Sequence, residues 1–150
     1  MKWLQKHKNT IVEIISILFI LLFIYTSINK LLNIKTFYMR LANFPFISSY
    51  AFWVAWGVPV LEIIITVLFF LPKYRLSALY ASFTLMSIFT AYIILVLRVS
   101  NSIPCSCGGV ISSLGWKEHI VFNCAFIGLA LWGIILINRN KNYRTIKNTT

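Results

Sequence analysis

Acidic side chains are scarce in this chain: three glutamates and no aspartate stand against fourteen lysines and arginines. Charged residues of both signs make up only 11% of the 150 residues, whereas soluble domains carry roughly 25%. The sequence also has no nucleotide-binding loop, no haem or zinc signature, no internal repeat and no low-complexity segment. With 59% hydrophobic residues, this composition indicates a membrane protein and leaves too little polar chain for a soluble catalytic domain.

Four apolar runs are long enough to cross a bilayer, which takes about 20 mainly apolar residues per helix. They cover residues about 11–28, 51–71, 76–97 and 119–137. We therefore predict an all-α, polytopic membrane protein, a four-transmembrane-helix bundle forming a single integral membrane domain over 1–150 with a basic tail at 138–150. We expect the first run to be a retained helix, because no convincing small-residue cleavage site follows it. Apolar residues interspersed with Lys35 and Arg40 predict a short interfacial helix in loop one, around 31–41.

The net charge of +11 would suggest nucleic acid as the partner of a soluble protein, but these cations lie at helix ends, and we predict no nucleic-acid partner. An even number of helices places both termini on one side of the membrane. That side holds Lys2, Lys6, Lys8, Lys73, Arg75, Arg139, Lys141, Arg144 and Lys147. The other side holds Lys30, Lys35, Arg40, Arg98 and Lys117. The positive-inside rule therefore predicts cytoplasmic termini and an extracytoplasmic loop between the third and fourth helices, where disulfides persist.

Two thiols, Cys105 and Cys107, lie one residue apart in the only long polar stretch between the apolar runs. A disulfide needs Cα atoms roughly 4.4–6.8 Å apart, which residues i and i+2 reach only in a bent backbone, so a bond between them is strained and oxidising. Closing so short a loop contributes about 1.6 kcal/mol, against about 3 kcal/mol for fifteen residues. Ser106 and the two following glycines leave room for a partner's backbone during mixed-disulfide exchange. The pattern favours a redox-active pair over a structural disulfide.

Two other interpretations of this cysteine pair remain open. Adjacent thiolates are soft ligands suited to Cu(I) or Zn(II), although a closed tetrahedral site needs four ligands and only His119 is a further nearby candidate. The two cysteines also fit a structural or incidental role in the loop. The third cysteine, Cys124, lies a few residues inside the fourth helix. A lone thiol at such a position usually packs as a small hydrophobic side chain. The alternative is that Cys124 acts as a resolving thiol for the loop pair.

One face of the fourth helix carries Trp116, His119 and Asn123, which recur at i, i+3 and i+7. His119 is a candidate for proton transfer during thiol exchange, and as an imidazolium it would stabilise a thiolate. Asn123 is a candidate for orienting that imidazole or for binding a quinone carbonyl. The alternative is that Trp116 anchors the helix at the membrane interface and His119 is merely a polar residue at the headgroup level.

A carboxylate, Glu62, lies near the middle of the second helix, about 11 residues or roughly 16 Å from its outer end. Ionisable residues inside the membrane are rare, face the bundle interior and indicate a functional site. The alternative for Glu62 is a protonated carboxyl that bonds a hydroxyl of the serine- and threonine-rich third helix. Lys30, at the end of the first helix, is expected either to extend outward to the interface or to approach the cysteine loop.

These features together resemble one family of membrane proteins. The residues are Ile28-Asn29-Lys30-Leu31 after the first helix, Pro59 and Glu62 in the second, and Ile103-Pro104-Cys105-Ser106-Cys107-Gly108-Gly109 leading into Trp116, His119 and Asn123. They look like the redox-associated MauE/DoxX-type proteins, and the resemblance spans nearly the whole chain. It implies thiol–disulfide exchange at the outer face of a bacterial inner membrane, with a thioredoxin-like partner or a link to quinone. Quinone-linked disulfide oxidases share the helix number and the outward thiols, but this chain lacks their second cysteine pair.

From these observations we expect a membrane thiol–disulfide oxidoreductase with Cys105, Cys107 and His119 as its catalytic residues. Its partner would be an extracytoplasmic protein of the thioredoxin-like or cysteine-rich kind. If a quinone cofactor takes part, the resemblance and the helix pattern point to Asn123, Trp116 and Glu62 as its binding residues; no metal ligands are predicted. The alternatives are a non-catalytic membrane subunit or maturation factor with structural cysteines, and a soft-metal binder for copper or zinc.

Overall fold

The computed structural model describes residues 2–43, 47–99 and 116–149, with the side chains of 9–43, 47–95, 97–98 and 117–139. Within these ranges five α-helices follow one another in chain order: α1 (Lys2–Leu32), α2 (Ile34–Ala42), α3 (Ala51–Phe70), α4 (Arg75–Val99) and α5 (Trp116–Thr149). Short 3-10 turns at Ser48–Tyr50 and Pro72–Tyr74 precede α3 and α4, and these described ranges contain no strand.

Four of these helices are long and apolar enough to cross a membrane. The four spans are Asn9–Leu32, Ser48–Phe70, Pro72–Leu95 and Lys117–Arg139, and their mean hydropathies lie between 1.8 and 2.5. They match the predicted apolar runs to within a few residues at each end. The predicted all-α, four-helix membrane fold is therefore confirmed, because segment length and hydropathy carry most of its signal.

The membrane helices pack as two antiparallel pairs, α1 with α3 and α4 with α5. Contacts between α3 and α4, and between α1 and α5, join the two pairs into a four-helix ring. At one end of the ring Glu13 meets Arg75 and Tyr80 meets Asn138. We call this the terminal end, because α1 starts and α5 leaves its span there. The opposite end, where residues 100–115 connect α4 to α5, is the loop end.

The interior near the terminal end is apolar and aromatic. Phe19 of α1 lies at the centre of this region, with its ring centroid 5.7 Å from that of Phe69 on α3 and 5.3 Å from that of Phe126 on α5. Phe19 and Phe69 are almost completely buried, as is Leu79 of α4. Because each helix contributes a large side chain to one cluster, this packing sets the rotation of the helices about their own axes.

The short helix predicted in loop one, around 31–41, is α2, which spans Ile34–Ala42. Its Leu41 is buried against Ala51 and Ala55 of α3, and Phe37 packs on the same cluster. The helix therefore extends the α1–α3 contact beyond Leu32 along the first turns of α3. Small alanines on α3 allow this close approach.

The last helix is longer than the sequence indicated. The fourth apolar run was predicted over about 119–137, with a basic tail at 138–150, but α5 continues as a helix to Thr149. The apolar span itself does end at Arg139. Hydropathy indicates where the apolar span ends and not where the backbone stops being helical, so the predicted basic tail continues the helix as far as Thr149.

Candidate functional site

The cysteine pair that the sequence singled out lies outside the described residues. Cys105 and Cys107 belong to the segment 100–115, which leaves α4 and enters α5 at the loop end of the bundle. Trp116 begins α5, and its side chain is also outside the described part of the chain. The predicted site residues whose side chains are described are Glu62, His119 and Asn123.

Glu62 forms an ion pair with Lys30 across the interface between α3 and α1. The Lys30 ammonium donates a hydrogen bond to Glu62 Oε1. Both side chains are shielded, with 19% of Lys30 and 7% of Glu62 exposed. The Thr26 hydroxyl, which also donates to the Phe23 carbonyl, lies beside the same carboxyl group. The position of Lys30 follows from the antiparallel packing of α1 on α3, which aligns the last turns of α1 with the middle of α3.

This ion pair argues against the alternative for Glu62, a protonated carboxyl that bonds a hydroxyl of the third membrane helix. The carboxyl binds Lys30, and the hydroxyls of Ser82 and Thr90 on α4 donate to carbonyls of their own helix. For Lys30 the sequence left open an outward position at the interface or an approach to the cysteine loop. Its ammonium binds Glu62, and the cysteine loop lies outside the described residues. Serine and threonine hydroxyls in a helix donate to the backbone carbonyl one turn earlier, so they do not compete with a lysine for a carboxylate. The missed signal is that an ionisable group inside a membrane requires an oppositely charged partner.

His119 lies in the first turns of α5, half-buried and facing α4. Its ring centroid is 6.0 Å from that of Phe89. Its Nδ1 atom is buried and has no hydrogen-bond partner among the described residues.

Asn123 lies one turn further along α5 and is only 2% exposed. Its amide Nδ2 has no acceptor in the described part of the chain, and the second carboxyl oxygen of Glu62, Oε2, likewise has no donor there. Buried polar groups in native proteins nearly always have a partner, so unpaired ones need an explanation such as a ligand or water. The interior at the loop end thus holds three unpaired polar atoms: Glu62 Oε2, His119 Nδ1 and Asn123 Nδ2.

Cys124 faces away from this interior. Its side chain is exposed on the outer surface of α5, although its neighbour Asn123 is buried. Its proposed role as a resolving thiol stays a hypothesis. Within the described residues no three histidine, cysteine or acidic side chains lie close enough to hold a metal ion. That finding does not extend to Cys105 and Cys107, on which the soft-metal alternative depends.

Fold and site together define a helical membrane protein whose first two membrane helices are joined by a shielded lysine–glutamate pair. The family model described as methylamine utilisation protein MauE matches residues 8–136, and the chain belongs to this family. The matched range contains the first three membrane spans in full, the fourth span up to residue 136, and Cys105 and Cys107. Searches of curated proteins and of solved structures found no match.

Proposed function

We propose that this chain is a membrane thiol–disulfide oxidoreductase that uses Cys105 and Cys107 to exchange disulfides with a thioredoxin-like or cysteine-rich partner. The observation that carries the proposal is the spacing of these two thiols, one residue apart, in the segment that joins two membrane helices of a MauE-family protein. The location of His119 supports it, because that residue lies at the same end of the bundle, in the helix that follows the cysteine segment.

Disulfide exchange proceeds through a mixed disulfide. A partner thiolate attacks one sulfur of the Cys105–Cys107 disulfide, that bond breaks, and the second cysteine leaves as a thiolate that takes up a proton. The partner's second thiolate then attacks the mixed disulfide, so the partner gains the disulfide and this chain keeps two thiols. The reverse sequence oxidises this chain. We assign His119 to proton transfer in both directions, because an imidazole both donates and accepts near neutral pH.

A quinone is the cofactor that we propose for the electron link to the membrane. The unpaired donor Asn123 Nδ2 and the unpaired His119 Nδ1 fit the carbonyl oxygens of such a head group. Trp116 begins the same helix, and Glu62 Oε2 provides a further unpaired atom. When bound, the quinone would supply a two-electron acceptor for the Cys105/Cys107 dithiol. The residues of this chain would bind and orient its head group.

We further propose that both termini are cytoplasmic in a bacterial inner membrane and that the cysteine segment is extracytoplasmic. Nine cations on the terminal side against five on the loop side support this orientation. A membrane-impermeant maleimide added to intact cells should label reduced Cys105 and Cys107 but not a cysteine placed at Lys73, in the turn before α4. If the cysteine at position 73 were labelled and Cys105 and Cys107 were not, the result would indicate the opposite orientation.

Single substitutions of the cysteine pair test the exchange itself. In Cys105→Ser or Cys107→Ser the remaining cysteine can still form a mixed disulfide with the partner, but no second cysteine is present to resolve that bond. The mixed disulfide should therefore accumulate and be visible in non-reducing gels. The Cys124→Ser variant is the matched control and should exchange like the wild type. A Cys105/Cys107 pair that neither oxidises nor forms any mixed disulfide contradicts the proposal and favours a non-catalytic subunit. Copper or zinc that copurifies with the chain and is lost in the double Cys→Ser variant favours the metal binder.

A further inference from the structure

The short helix α2 lies between two membrane helices and outside both of their spans. The span of α1 ends at Leu32, the next span begins at Ser48, and α2 covers Ile34–Ala42. This helix is therefore at the level where the loop end of the bundle leaves the hydrocarbon core and meets the lipid headgroups. Trp53, in the first turn of α3, is 73% exposed, and an exposed tryptophan ring suits the same level.

One face of α2 is covered by the protein itself. Leu41 is buried against Ala51 and Ala55 of α3. Ile34 and Phe37 pack on the same cluster. The three α2 positions recur at i, i+3 and i+7, so they form a single face of the helix. Because this face is fixed on α3, the orientation of the opposite face is fixed as well.

The outer face of α2, which consists of Lys35, Thr36, Met39 and Arg40, carries cations and no acid. Lys35 is exposed and Arg40 is half-buried. At 3.6 residues per turn, Thr36 and Met39 fall between these two cations around the helix, and Met39 is 55% exposed. Residues 14–61 contain no acidic side chain. Neither Lys35 nor Arg40 belongs to the two ion pairs of the described chain.

We propose that the outer face of α2 binds the headgroups of anionic phospholipids. Lys35 and Arg40 contact the lipid phosphates, and Met39 lies against the glycerol and the first carbons of the acyl chains. The two cations select the anionic class, because a zwitterionic headgroup neutralises its own phosphate. The level of α2 selects a membrane lipid over a soluble acidic protein, since Met39 and Trp53 are exposed where headgroups and acyl chains meet.

The expected strength of this interaction follows from the number of cations. Each lysine or arginine close to an anionic membrane surface contributes about fivefold to the affinity. Salt weakens the attraction, because the Debye length falls from about 10 Å at 0.1 M to about 3 Å at 1 M. The binding needs no cysteine, so it is independent of the proposed disulfide exchange.

The test requires a local reporter, because nine cations at the terminal end also attract anionic lipids. Cys105, Cys107 and Cys124 are replaced by serine in the full chain, and a nitrobenzoxadiazole fluorophore is attached to Thr36→Cys. This chain is placed in phosphatidylcholine nanodiscs with a small fraction of nitroxide-labelled lipid, either phosphatidylglycerol or phosphatidylcholine. The nitroxide quenches the fluorophore only at short range, whereas the terminal end lies across a hydrocarbon core of about 30 Å.

The reporter on α2 should be quenched by a several-fold smaller fraction of labelled phosphatidylglycerol than of labelled phosphatidylcholine. Lys35→Gln and Arg40→Gln should each lower this preference about fivefold, and the double variant should abolish it. Raising the salt to about 1 M should also abolish it. The matched control is the double variant Arg98→Gln/Lys117→Gln, which removes two cations of the loop end from α4 and α5 and should leave the preference unchanged.

A second reporter position checks that the preference belongs to α2. The same fluorophore on the native Cys124, which is exposed on α5, should be quenched equally by the two lipids in a chain with Cys105→Ser and Cys107→Ser. A preference of equal size at Cys124 would show general enrichment of phosphatidylglycerol around the bundle and would overturn a site on α2.

Three further results also overturn the proposal. Equal quenching of the α2 reporter by both lipids, with Lys35 and Arg40 intact, is one of them, and it is the result expected if a soluble acidic protein is the occupant. This result does not depend on how an α2 charge variant folds. The second is a preference that survives Lys35→Gln/Arg40→Gln in a chain whose helical content, measured by circular dichroism, is unchanged. The third is a preference that does not respond to salt.

Discussion

The two halves of the bundle interior are built from different side chains. Near the terminal end the interior is a cluster of aromatic and aliphatic groups around Phe19, Phe69 and Leu79, all nearly completely buried. Near the loop end it contains Glu62 and Asn123, with Lys30 and His119 beside them. Buried hydroxyls occur in both halves, but they bond to carbonyls of their own helices and connect nothing. One half therefore holds the helices together, and the other carries the groups able to do chemistry.

The two ion pairs of the described chain show the same contrast. Arg75 and Glu13 approach to 3.5 Å at the terminal end, where 59% of the Glu13 side chain is exposed. Lys30 and Glu62 are closer and far less exposed. A solvated pair contributes little and tolerates loss of one member, whereas a shielded pair leaves an uncompensated charge when one member is removed. Location, and not the type of pair, decides how each behaves.

The largest effect should come from the apolar half. Phe19→Ala removes a ring that packs on rings of α3 and α5, and the cavity should lower the free energy of unfolding by about 3–5 kcal/mol. The measurement is reversible unfolding in mixed detergent–SDS micelles. Phe70→Ala removes the same group from a position that is 64% exposed and should cost much less. Equal losses in the two variants would show that Phe19 is not a packing centre.

Breaking the shielded ion pair should come next. Lys30→Met or Glu62→Leu alone should destabilise the protein by about 3 kcal/mol, because one charge stays buried without its partner. The double variant should recover to within about 1 kcal/mol of the wild type, or exceed it. Glu13→Gln, the counterpart in the exposed pair, should cost less than about 1 kcal/mol. Additive losses in the double variant would mean that Lys30 and Glu62 do not interact.

A smaller effect should follow at Asn123, whose amide Nδ2 has no acceptor in the described chain. If that amide serves only a bound ligand, Asn123→Leu in ligand-free detergent should change the free energy of unfolding by no more than about 1 kcal/mol. The same variant should lose any stabilisation that a quinone analogue gives to the wild type. A loss of several kcal/mol without ligand would instead reveal a structural partner for the amide.

The smallest effects concern two glycines of α5. A Cβ at Gly133 would lie 3.0 Å from Leu79 Cδ1, whereas at Gly128 it would meet nothing within 4 Å. Gly133→Ala should therefore cost about 1 kcal/mol through overpacking, and Gly128→Ala should be neutral or stabilising by a few tenths of a kcal/mol. Thermal unfolding monitored by circular dichroism compares the two. A stabilising Gly133→Ala would show that α4 and α5 pack less closely than the structure indicates.

Much of the fold could be predicted from sequence, and less of the site. The four spans, the short helix after α1 and the concentration of polar groups at one end of α5 follow from local patterns. The partner of Glu62 does not, and the sequence offered only an α4 hydroxyl as an alternative partner for it. Choosing between a hydroxyl on α4 and Lys30 on α1 requires knowing which face of each helix meets which neighbour, and that is not a property of any one segment.

Hydropathy and length sufficed to establish a four-helix membrane protein, because the bilayer imposes the same requirement on every segment that crosses it. The spacing of Cys105 and Cys107 likewise sufficed to suggest disulfide chemistry, because thiol reactivity over one intervening residue is local. The ion pair of Lys30 with Glu62 arises only when α1 and α3 pack together. Residues so distant along the chain meet through the register and rotation of whole helices, which the Phe19 cluster sets at the other end of the bundle.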